Sequence, residues 1–82
     1  MINDEAAKKN LAENVRRLLR DRGWSQAKLA FLAGEGEMQI SRIVRGKLMP
    51  NVATVARIAE AFDVSIDRLV GQPPERSLEV AS

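Results

Sequence analysis

Between Gly34 and Lys47 the sequence reads "GEGEMQISRIVRGK", with polar and cationic residues at a helical spacing. A helical residue turns about 100°. Measured from Ile40, the apolar Ile43 and Val44 stay within about 60°, whereas Met38, Arg42 and Arg45 gather on the opposite side. A guanidinium presents a planar fork of N–H donors that fits paired acceptors, and a thioether supplies apolar contact without charge. Such a set recognises an anionic or hydrogen-bonding surface and holds nothing that makes or breaks a bond.

The rest of the chain is equally poor in reactive groups. It has no histidine and no cysteine, which removes the commonest general base, the commonest metal ligand, thiolate zinc sites and cysteine nucleophiles. Ser25 and Lys28 form an S-x-x-K string of the kind that marks an acylated serine in penicillin-binding enzymes. Nothing else of that constellation is present, and 82 residues are too few for that fold. Phosphate-binding glycine loops, metal clusters and paired carboxylates are absent as motifs, so the reading is of a non-enzyme with no cofactor and no metal. "MINDEAAKKN" is too polar for a signal peptide, and the longest uncharged run, Leu48 to Ala56, is far short of the roughly 20 residues that span a bilayer. A soluble, cytoplasmic protein with no membrane partner is expected.

Charge is unevenly spread. The net value is +2, but residues 16–57 hold nine cations against three acids, while residues 58–82 hold two cations against five acids. A basic middle beside an acidic end is the pattern of a polyanion site on one side of a domain, and equally of a mixed solvated surface.

The elements that must position the outward face follow from periodicity and punctuation. Leu11, Val15, Leu18 and Leu19 make one helical stripe in a segment opened by Asn3-Asp4-Glu5 and closed by Gly23. Ser25 is a good N-cap for a second helix that Gly34 stops, and Gly36 can cap a third that Gly46 ends. Pro50 forbids helix just before itself, Asn51 caps a fourth, and Ser65 caps a short fifth with Ile66 and Leu69 inward. No stretch alternates at period two for long enough to form a sheet. The spacing predicts an all-α chain with helices at about 4–22, 25–33, 37–45, 51–62 and 65–70. Residues 1–71 read as one domain, and 72–82 as a short tail, too short for a sensor domain.

Two short helices joined by a tight turn, the second with an outward polar face, describe a helix-turn-helix. At this point the sequence resembles the Cro/phage-repressor type of regulators, the XRE family. The likeness is carried by "LAENVRRLLRDRG" and by "SQAKLAFLAGEGEMQISRIVRGKLMPNVATVARIAEAFDVSIDRLVG", with Gln26, the Leu29-Ala30 pair, Gly34, "ISRI" followed by "RG", and the closing "F-V-S-x-D-x-L" pattern in order. Each motif is weak alone, whereas the ordered set over residues 11–71 is specific. The resemblance implies a five-helix, lambda-repressor-like DNA-binding domain acting as a sequence-specific transcriptional regulator. A repressor that binds a near-palindromic operator as a homodimer fits best. It also implies base-facing roles for Glu37, Met38, Ser41 and Arg42 in the major groove of double-stranded DNA. Backbone contacts would come from Gln26, Lys28, Gln39, Arg45, Lys47 and Asn51. Ile66, Leu69 and Val70 would form the dimer interface, extended by Leu78 and Val80. Phage repressors, restriction-modification controllers and antitoxins all share this layout. The alternative is therefore an antitoxin-like interaction module with a toxin or another regulator as its partner.

Several residues depart from the family pattern or fall outside it. Glu35 and Gly36 follow the turn glycine, where the family carries a small hydrophobe, and a charge there is expected to point to solvent and loosen the turn. Leu19 and Val44 occupy positions where the family often pairs an Arg with a Glu, a joint change that makes sense if the two touch. Arg16, Arg17 and Arg20 read as a solvated face, Trp24 as core, and Phe31 as either a cover for the first helix or exposed.

Overall fold

A computed structural model describes residues 3–73. Five helices follow in order, α1 (Asp4–Arg22), α2 (Gln26–Ala33), α3 (Glu37–Val44), α4 (Val52–Phe62) and α5 (Ile66–Val70), and no strand occurs among the described residues. The expected spans for α2, α4 and α5 begin one residue too early. Ser25, Asn51 and Ser65 have extended backbone and lie outside the helices they cap, with side chains accepting from the N–H of Lys28, Thr54 and Arg68. Asn3 does the same for α1 from Ala6. Arg45, expected as the last residue of α3, is its C-cap instead. α4 ends on Asp63 in the left-handed conformation, a position that short polar side chains tolerate.

The core is one cluster drawn from all five helices, and its largest fully buried side chains include Phe62, Leu11, Leu29, Ile40, Ile58 and Leu69. Ile40, Ile43 and Val44 are the buried side of α3, as the 3.6-residue period requires. Leu69 is fully buried in that cluster, so it faces the domain's own core and is corrected as a dimer-interface residue. Ile66, expected inward beside it, is exposed instead. Leu78 and Val80 lie outside the described residues.

α1 does more than bury a stripe. Its polar side chains reach the last carbonyls of three other helices, groups that a helix cannot satisfy within itself. The Arg16 guanidinium donates to the Val44 carbonyl at the end of α3. Arg22 donates to the Phe62 carbonyl at the end of α4 over 2.7 Å. Asn14 is fully buried and donates to the carbonyls of Leu69 at 2.7 Å and Gly71 at 2.9 Å, while Asn10 donates to that of Val70 at 3.1 Å. A Cβ on Gly71 would stand 2.7 Å from the Asp67 carbonyl oxygen, so only glycine lets the chain turn off α5 against α1 in this way. The two arginines also place positive charge at helix C-termini, where the macrodipole favours it. Arg16 is exposed as expected and in addition caps α3.

Trp24 is half-buried rather than sealed in the core. Its ring stacks on Phe62 with centroids 5.2 Å apart, and the guanidinium of Arg22 and the ammonium of Lys28 sit over it. Phe31 covers nothing on α1 and is 84% exposed.

Candidate nucleic-acid interface

The turn between α2 and α3 begins at Gly34, whose φ of +67° is left-handed backbone that glycine adopts without strain. The Glu35 N–H returns to the Ala30 carbonyl over 2.9 Å, which closes α2 in a tight reversal. Gly36 then opens α3 without a side-chain cap, although the other four helices each have one. Beyond the turn, α3 packs on α1 and α2, and on its other side Met38, Arg42 and Arg45 are exposed.

That free side carries a shallow open hollow of about 610 Å³, lined by Gln26, Glu37, Met38, Ser41, Arg42 and Arg45. Met38 is 76% exposed, which settles it as an outward residue rather than a core one. Glu37, Arg42 and Arg45 are exposed and Ser41 is half-buried between them. The Nε of Arg45 donates to the Ser41 carbonyl at 3.3 Å, laying that guanidinium along the helix. Gln26 enters the same hollow from the first turn of α2. All four residues expected to meet bases therefore stand together with two of the six expected to meet the backbone.

The other four lie around it. Gln39 is half-buried on the flank of α3. Lys28 is exposed, with its ammonium 5.3 Å from the centre of the Trp24 ring. Lys47 is exposed just past α3, and the exposed Asn51 accepts from the Thr54 N–H through its side-chain oxygen at 2.9 Å. A guanidinium pair, a thioether and a carboxylate on one accessible helix face can satisfy hydrogen-bonding edges in a groove, with cations at its borders for flanking charge.

Sequence reasoning missed what Glu35 does. Its side chain is only 8% exposed and points inward, where Oε2 lies 2.7 Å from Nε and 2.5 Å from Nη2 of Arg57, with the Thr54 hydroxyl at 3.3 Å. The expectation of a solvent-facing charge is corrected: Arg57 and Thr54, one helical turn apart on α4, supply the donors that make burial affordable. Their spacing was the available signal. Asn14 was missed as well, and its place between Leu11 and Leu18 on the apolar stripe was the sign that a buried polar group needed partners.

Among the described residues no three acidic, histidine or cysteine side chains converge as a metal site would require, and no helix is long and apolar enough to cross a membrane.

A family model described as helix-turn-helix matches residues 15–69. The transcriptional regulator SutR of Escherichia coli is 30% identical over 63 residues, which cover 77% of this chain and 35% of that protein, so the chain spans about a third of the length of this curated relative. The restriction-modification controller protein C.AhdI from Aeromonas hydrophila superimposes with a TM-score of 0.71 at 25% identity, covering 82% of this chain and 98% of that one. The hypothetical transcription factor NHTF from Neisseria gives 0.78 at 27% identity, with 98% of this chain and 92% of that one covered. The five-helix architecture, the ordered motifs and the matched span agree, and the chain belongs to the XRE-type helix-turn-helix family.

Proposed function

We propose that the protein is a sequence-specific DNA-binding transcriptional regulator, a repressor that sets α3 in the major groove of a near-palindromic operator as a homodimer. The observation that carries this reading is the open hollow on α3, where Glu37, Met38, Ser41 and Arg42 stand together on the side turned away from the core. In the proposal Arg42 holds a guanine edge through both guanidinium nitrogens, and Met38 packs on a thymine methyl. Gln26, Arg45, Lys47 and Asn51 take phosphates on either side, with Lys28 and Gln39 at the margin. The similarity to transcriptional regulators and to a restriction-modification controller supports the same class of activity.

Selection of bound fragments from genomic DNA by gel shift would yield the operator, on which two variants separate reading from anchoring. Arg42→Ala is expected to cost about 1–3 kcal/mol on that operator and to relax preference at one base pair. Lys47→Ala should weaken all sequences about equally and flatten the salt slope by about one unit. Identical behaviour of the two variants would defeat this division of labour, and wild-type binding insensitive to salt would defeat the electrostatic account.

A dimer follows from reach, because one α3 spans about four base pairs and two must sit about 34 Å apart to specify an address. With Leu69 committed to the core, Ile66 and Val70 remain as the apolar residues of α5 for a self-complementary patch. Sedimentation across micromolar concentrations should show a concentration-dependent dimer, and a 9.1 kDa species throughout with half-site footprints would sink it. A protein partner is the second reading, favoured by the outward exposure of Phe31 and Leu32 on α2.

A further inference from the structure

We infer that Glu35 is the residue that sets the aim of α3, a positioning residue whose latch onto Arg57 determines how strongly the protein discriminates between DNA sequences. The inference rests on the DNA-reading role proposed above. Gly34 and Gly36 flank Glu35, and α3 starts without a capping side chain, so the entry into α3 has little stiffness of its own. Glu35 is fastened at both ends. Its backbone N–H is bonded to Ala30 of α2, and its buried carboxylate is bonded to Arg57 and Thr54 of α4. Two and three residues later come Glu37 and Met38, the first α3 side chains on the hollow. α3 packs broadly on α1 and α2. The Glu35 carboxylate is therefore a tie from the start of α3 to α4, and α4 in turn begins at Asn51, a proposed phosphate contact. The latch fixes the angle between the residues that read and a residue that anchors.

The charge of Arg57 belongs to the same device. Its Nε and Nη2 converge on one oxygen of Glu35, and Nη2 also lies 3.4 Å from the Thr54 hydroxyl, so the guanidinium is oriented toward the turn. A small hydrophobe in place of Glu35 would fill the angle between α2 and α3 but would leave Arg57 without its acid. The two positions therefore act as a unit, and their effects should not add.

The test is a double-substitution cycle read as a ratio. Wild type is used to select its best-bound duplex from a random pool, and affinity for that duplex is compared with affinity for a scrambled duplex of the same composition. Glu35→Gln and Arg57→Gln are each expected to lower the specific-to-scrambled ratio by about tenfold, with the double variant no worse than either single one. Mere loss of folded protein lowers binding to both duplexes equally and leaves the ratio where it was. Should Glu35→Gln fail to fold, Glu35→Val with Arg57→Leu keeps an apolar plug in the turn and strands no charge, and the same fall in ratio is expected. An unchanged ratio in the folded variants overturns the inference and leaves the pair as a structural brace. A wild-type protein that shows no preference for any duplex overturns the DNA-reading role instead.

Discussion

An Asn14→Asp variant is expected to lose about 3–5 kcal/mol of stability at neutral pH, the range for a buried charge deprived of its partner. Against a total of roughly 5–15 kcal/mol for a domain of this kind, the loss brings the variant close to unfolding. Asn14 is fully buried, and its amide hydrogens satisfy the carbonyls of Leu69 and Gly71. Its own Oδ1 is buried without a partner. A carboxylate of the same shape can only accept, so it would face those two carbonyl oxygens with like polarity. Desolvation and the carbonyl dipoles both favour the protonated form, raising the new carboxyl above the ordinary value of about 3.9 in the folded state only. The folded variant then binds more protons than the unfolded one, and its stability rises as pH falls from neutral. Urea unfolding of both proteins at neutral and mildly acidic pH should show the gap to wild type narrowing on acidification. A gap that is absent, or that does not change with pH, would contradict the role given to the amide.

Leu19→Arg is the second large effect, at about 3 kcal/mol. Leu19 and Val44 are both buried members of one cluster, and the Arg16 guanidinium already rests on the Val44 carbonyl. An arginine at the buried Leu19 position would be desolvated near a guanidinium of like charge. Adding Val44→Glu restores the pair that the family often carries at these positions. About 1 kcal/mol or more of the loss should return by chemical denaturation if the residues touch. A double variant no more stable than Leu19→Arg alone would show that they are not neighbours.

The helices were legible because their signals are local. Asn3, Ser25, Asn51 and Ser65 announce helix starts whatever lies around them, and the 3.6-residue period alone turns Met38, Arg42 and Arg45 away from Ile40 and Ile43. The errors share a different cause. Whether Glu35 faces water or protein depends on Arg57, 22 residues further on, and what Arg16 bonds depends on a carbonyl 28 residues away. From sequence Leu69 suits both core and interface, because its own helix is too short to show which side is inward, and packing against α1 decides it. On α3 the outward face was legible from spacing, while the concavity that gathers Gln26 with it required the angle between two helices.

The polar reach of α1 has a consequence for the order of assembly. Its bonds to the ends of α3, α4 and α5 close loops of 28, 40 and 55 to 60 residues. A chain made from its N-terminus at roughly 5–20 residues per second presents α1 first, seconds before α5 exists. In that interval Asn14 lacks the carbonyls of Leu69 and Gly71 as acceptors, and isolated helices are marginal in water. Within this domain α1 is made before α5, so the bonds of Asn10 and Asn14 form only when α5 docks back on α1.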